Sequence, residues 1–157
     1  MKRRKRRRKA GRKTPRRRVT RAAPAPPPPP TEAEQRLLTL ARELSALRSD
    51  ALPRALDMLA EAYAPEAPLP SALQRAWLAG RGDKTAVLAL AWAREQVRLA
   101  LEEILDAAPN AARSALGVST DTRAWLVLAA CEALAHEPLS AVPDRVRALA
   151  DLTRPPP

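Results

Sequence analysis

Fourteen of the first 21 residues are Lys or Arg, and none is Asp or Glu. The run Lys2, Arg3, Arg4, Lys5, Arg6, Arg7, Arg8, Lys9 continues through Arg12, Lys13, Arg16, Arg17, Arg18 and Arg21. A stretch so charged cannot bury enough apolar surface to offset the entropy of ordering it, and its like charges repel. Residues 1–21 are therefore expected to be a disordered arm, and any fold must come from the residues beyond it. The chain holds 28 basic and 17 acidic residues. Beyond residue 21 the balance thus reverses, with 14 basic residues against 17 acidic. A polycationic arm is tied to a mildly acidic body.

Pro24 and Pro26 to Pro30 dominate residues 22–30. Consecutive prolines favour the extended polyproline II form, so this segment is a short stiff spacer, with the composition of an SH3 or WW ligand as its second reading. Residues 31–154 form the body and 155–157 a frayed tail. The body is rich in Ala and Leu, lacks Phe and is poor in β-branched residues, which favours helices over strands. The expected fold class is all-α, a helical bundle of about five to seven helices preceded by the disordered basic arm.

The helices can be placed from capping and period. Thr31-Glu32-Ala33-Glu34 matches a capping box, and Leu37, Leu40, Ala41, Leu44 and Leu47 form one stripe behind it. Asp50 can cap a second helix with Pro53 in its first turn and Leu52, Leu56, Leu59 and Tyr63 facing inward. Pro65, Pro68 and Pro70 suggest a loop. Ser71 would then cap a short helix with Leu73, Ala76 and Trp77 inward, ended by Gly80. Asp83 caps the longest segment, about 83–108, lined by Val87, Leu90, Ala91, Val97, Leu101, Ile104 and Ala108. A short turn of helix is expected from Asn110 to Gly117, a very apolar helix over 120–136 and a last one over 143–152. In the apolar helix Trp125, Leu126, Val127 and Leu128 point in successive directions, so one packing face cannot cover them all. They mark either a central helix or a homodimer interface, and we read them as the latter.

The arm's natural partner is a polyanion, because each Lys or Arg docked on a phosphate releases a counterion. Its Arg bias suits forked contacts to phosphate and entry into narrow minor grooves, so DNA is favoured over RNA. No aromatic residue interleaves with it, which disfavours a base-stacking single-strand platform. Gly11-Arg12-Lys13-Thr14-Pro15 loosely resembles an AT-hook core, and Arg17-Arg18-Val19-Thr20 suits a basophilic kinase. An address signal, an anionic-membrane tether and a solubilising tail are the other uses of such an arm.

Gly80-Arg81-Gly82-Asp83-Lys84-Thr85 is not a phosphate-cradling loop, since Asp83 separates the glycine from Lys84-Thr85 and no strand precedes it. It reads as a helix stop followed by an Asp cap. A helix-turn-helix across this turn fits in length, yet the second helix lacks a concentrated basic or amide face. His136 and Cys131 are each the only residue of their kind and make no dyad. No catalytic residue, metal ligand or cofactor is assigned. The longest apolar run, Ala124 to Cys131, is too short to span a bilayer, and no apolar leader core follows the basic start. A soluble location is expected, cytoplasmic and nucleoid-associated in a bacterium or nuclear in a eukaryote.

Gly117 to Leu134, with Trp125-Leu126-Val127-Leu128-Ala129-Ala130-Cys131 at its centre, and Asp144 to Leu152 resemble the C-terminal end of TetR-type transcriptional regulators. Ala55 to Tyr63 is similar to the first helix of that family's DNA-binding head. The resemblance implies two C-terminal helices that pair with their mates in a dimeric four-helix bundle. The family's recognition segment is missing between Tyr63 and Gly82, so no DNA-reading or ligand-pocket residue is carried over. Together these readings point to a non-enzymatic, DNA-binding regulator-like protein or nucleoid accessory factor that grips phosphate through its arm. The alternative is a helical interaction and dimerisation module whose arm is a targeting or solubility tail.

Overall fold

The computed structural model describes residues 29–48, 51–108 and 117–153. These build six α-helices and one short 3-10 turn: α1 Glu32–Ser45, α2 Ala51–Ala62, α3 Pro68–Ala79, α4 Lys84–Ala107, α5 Thr120–Ala133 and α6 Val142–Thr153, with the turn Leu134–His136 closing α5. The all-helical expectation holds. The arm, residues 22–28 of the spacer, the Asp50 cap, the turn of helix expected after Asn110 and the last residues from Arg154 lie outside the described residues.

The α1 start follows its local chemistry. The Glu34 N–H donates to Thr31 Oγ1 at 3.3 Å, and the Thr31 N–H donates to Glu34 Oε2 at 3.2 Å. Two of the amides a helix start leaves unpaired are thereby satisfied. Gln35 donates from its side chain to the Pro30 carbonyl at 3.0 Å, fixing where the spacer enters. Asp83 caps α4 by accepting from the Thr85 and Ala86 amides at 2.9 and 3.2 Å. Ser119 caps α5 by accepting from the Thr122 amide at 3.3 Å.

The α3 start departs from expectation. The helix begins at Pro68 behind Ala67, not at Ser71. Proline lacks an N–H, but the first turn of a helix has no use for one, so Pro68 and Pro70 sit there without loss. The Ser71 hydroxyl instead donates back to the Pro68 carbonyl at 3.1 Å.

The core runs through Leu37 and Leu44 of α1, Ala55, Leu56 and Leu59 of α2, Leu90, Val97, Leu101 and Leu105 of α4, and Leu128 and Cys131 of α5. The hub is α4. It carries α1 along one side and α5 along another, and it also meets α2. Two further inward assignments fail. Trp77 is exposed because it lies roughly a quarter turn from the middle of the buried stripe of Leu69, Ala72, Leu73 and Ala76. Ala91 is exposed while its neighbours Leu90 and Ala93 take the core positions.

Candidate nucleic-acid interface

The arm's fourteen cations lie outside the described residues, so what the structure offers a polyanion is the charge of the body. Several of those charges are spent within the fold. Arg98 is nearly enclosed, its side chain 10% exposed. Its guanidinium donates to Glu95 at 2.6 Å and to Glu102 at 2.9 Å, and it pairs with Asp121 at 2.6 Å. Glu95 and Glu102 are the helical neighbours three and four residues away, while Asp121 comes from the first turn of α5. The cluster therefore joins the two helices. The hydrogen bond from Arg98 lowers the Glu95 carboxyl below its ordinary range, and the same carboxylates push the guanidinium up.

Arg94 makes a forked contact to Glu132 at 2.6 and 2.8 Å, tying the other end of α5 to α4. Beside this pair lies Tyr63, fully buried, its hydroxyl without a hydrogen-bond partner. Burial and then the Glu132 charge push its phenol up, so it stays protonated. On the α1 side Arg36 and Arg75 share Glu32 at 2.9 and 3.0 Å, which lowers that carboxyl.

This pattern bears on the helix-turn-helix geometry. The order is the one anticipated, α3, a tight turn with Gly82 at φ 86°, then α4, although α3 starts earlier, at Pro68. Yet Arg94 is neutralised by Glu132 of α5, and Arg98 by Glu95 and Glu102 of α4 with Asp121 of α5, which leaves Lys84 alone of the α4 cations unpaired among the described residues. The outward stripe of α4 is apolar, with Leu88, Trp92 and Leu99 exposed. An open cleft of about 590 Å³ between α1, α2 and the start of α3 has Glu32, Glu43 and Glu61 on its rim and Leu40, Met58 and Leu69 at its floor. Glu32 there is met by Arg36 and Arg75, so Glu43 and Glu61 leave the rim net acidic, which disfavours phosphate.

The four residues assigned to a dimer interface do not share one environment. Val127 and Leu128 are buried by the chain's own helices, whereas Trp125 and Leu126 remain 51% and 43% exposed. Trp125 sits on the flank of α5 that also carries Asp121 and Glu132, four and seven residues away, and so borders α4. The α5 helix is a flank of the bundle and not its enclosed centre. Cys131 is buried, and desolvation pushes its thiol up to about 12, which suits a core residue and not a nucleophile. Among the described residues no group of His, Cys, Asp and Glu is placed to hold a metal ion, and no helix is long and apolar enough to cross a membrane.

Compared with protein-family models, curated proteins and solved structures, the chain matches none.

Proposed function

We propose that this protein associates with nucleic acid, DNA in preference to RNA, through residues 1–21, and that its helical body serves as the folded base of a regulator-like or nucleoid accessory factor. The observation that carries the reading is the segregation of charge. The arm holds fourteen cations and no acid. In the body, Arg36, Arg75, Arg94, Arg98, Arg145 and Arg147 are each paired with a carboxylate of the same fold. Phosphate binding needs cations that are not already neutralised. The regulator form of the proposal draws on the TetR-type resemblance of the α5 and α6 region.

Binding through such an arm is electrostatic and weakly sequence-selective, because phosphate contacts position a protein without specifying bases. The test compares the full chain with one lacking residues 1–21 on duplex DNA, single-stranded DNA and RNA. If the arm engages about six to ten phosphates, affinity falls on the order of 10³–10⁵ between about 50 and 200 mM salt. Undiminished affinity without the arm, or a sharp and long preferred sequence, would refute the proposal.

A second reading has its own observation. Trp77, Trp92 and Trp125 are all about half exposed, and surface tryptophan is enriched at protein interfaces. Under that reading the body is an interaction module and the arm an address. Unchanged partner binding and lost localisation on removal of the arm would favour it.

A further inference from the structure

We propose that two copies of this chain pair through the outward stripe of α4, antiparallel, about a two-fold axis that passes between residues 93 and 94. The pairing stands whether or not the arm binds nucleic acid.

The first observation is the stripe itself. Leu88, Trp92 and Leu99 are 69%, 57% and 39% exposed. Together with Glu95 they follow helical spacings of four, three and four, the pattern of a seam that faces another helix. The α4 residues packed against the rest of the bundle, Leu90, Val97, Leu101 and Ile104, lie on the opposite side. The three exposed side chains offer on the order of 300 Å² of apolar area. That suits the dry centre of an interface whose usual size is about 800 Å² per partner, with charged residues supplying the rim. Glu95 interrupts the seam, but its charge is already met by Arg98 of the same chain.

The second observation is charge. The exposed ends of this face have opposite signs. Lys84 stands on its first turn, beside the Asp83 carboxylate that caps the helix, and Glu103 and Asp106 stand at its end; Lys84, Glu103 and Asp106 have no ion-pair partner among the described residues. Lys84 and Glu103 are placed symmetrically about the point between residues 93 and 94. So are Leu88 and Leu99, and so are Trp92 and Glu95. An antiparallel mate therefore sets Lys84 against Glu103 at both ends, with Leu88 over Leu99 and Trp92 over Glu95 between them. A two-fold interface must be self-complementary in this sense. A parallel mate would instead oppose like charges at each end.

The consequence is a particle with two arms. Two arms on one particle raise avidity for a polyanion without any new contact.

The test is sedimentation of the nuclease-treated full chain across micromolar concentrations, with circular dichroism to confirm folding. Wild type is expected to dimerise. Leu88→Glu, at an exposed site that leaves the fold intact, is expected to weaken pairing on the order of a hundredfold. Lys84→Glu and Glu103→Lys are each expected to weaken it about tenfold, since each pair occurs twice. The double swap Lys84→Glu with Glu103→Lys is expected to restore it to within about twofold. Within one helix these two positions are roughly 28 Å apart, so rescue can only pass through a second copy. A monomeric wild type, a double swap no better than either single, or loss of pairing with Trp125→Glu but not with Leu88→Glu would each overturn the proposal. The last result would move the interface to α5. Loss of DNA binding on removing residues 1–21 is read separately and leaves this outcome untouched.

Discussion

Replacing Arg98 by Met tests how the bundle holds α5 against α4. The substitution keeps a flexible apolar stem and removes the guanidinium that meets Glu95, Glu102 and Asp121. The two helical pairs are worth about 0.3–0.5 kcal/mol each. The pair to Asp121, whose side chain is 62% exposed, is screened and adds about 0.2–1 kcal/mol. The expected loss at neutral pH is therefore about 1–2 kcal/mol, a fall in Tm of roughly 5 °C for a domain of this size.

The pH dependence sharpens the test. Arg98 lowers the Glu95 carboxyl from its ordinary value of 4.5. A carboxyl lowered by folding stabilises the fold above its ordinary value, and that share is lost as pH falls through the lowered one. The Arg98 guanidinium is raised, so its own share persists at every pH below the ordinary arginine range. The difference between wild type and Arg98→Met should hold from about pH 6 to pH 9 and shrink below about pH 4. Urea unfolding followed by circular dichroism measures it at each pH. A difference under about 0.5 kcal/mol at neutral pH, or one unchanged in acid, would refute the assignment of the cluster as the α4–α5 tie.

Thr31→Ala removes half of the capping box and should cost about 1 kcal/mol, read as a lower urea midpoint with an unchanged slope. Leu128→Glu places a carboxylate where the side chain is fully buried and should cost on the order of 4 kcal/mol, whereas Trp125→Glu on the exposed flank should stay within about 1 kcal/mol by the same assay. Cys131, buried and with its thiol pushed up to about 12, should react with a disulfide reagent at least about 100-fold more slowly in the native protein than in urea at the same pH. A native rate near the unfolded one would show that α5 opens freely.

Most of the helical layout was legible because short-range chemistry fixes it. Thr31 with Glu34, Asp83 ahead of Thr85, and Ser119 ahead of Thr122 each announce a helix start through a side-chain acceptor two or three residues before the amide it meets. Pro68 was misleading because proline both breaks helices and begins them. Only the packing of Leu69 and Ala72 against α1 decides which. The ion pairs were illegible for a different reason. Arg94 with Glu132 and Arg98 with Asp121 join residues on different helices, and no spacing in the sequence encodes which flank of α5 meets α4.

The same limit explains why α5 stands out in the sequence although α4 has an equal claim. Trp125 to Leu128 form an unbroken apolar run, and such a run is conspicuous in sequence. In space it divides, because successive residues on a helix turn about 100° apart and two of the four inevitably face α4 and the core. Leu88, Trp92 and Leu99 are dispersed among Ala, Arg and Glu and merge, on periodicity alone, with the core stripe of Leu90, Val97 and Leu101. A helix apolar around most of its girth gives no internal sign of which side is covered. That is settled only when the core takes the side of Leu90 and Leu101, and Arg94 and Arg98 reach Glu132 and Asp121 of α5. What remains outward is then the stripe with Lys84 at one end and Glu103 and Asp106 at the other. The fold thus converts an ambiguous helix into a face with a definite polarity, the feature on which the antiparallel pairing proposed above rests.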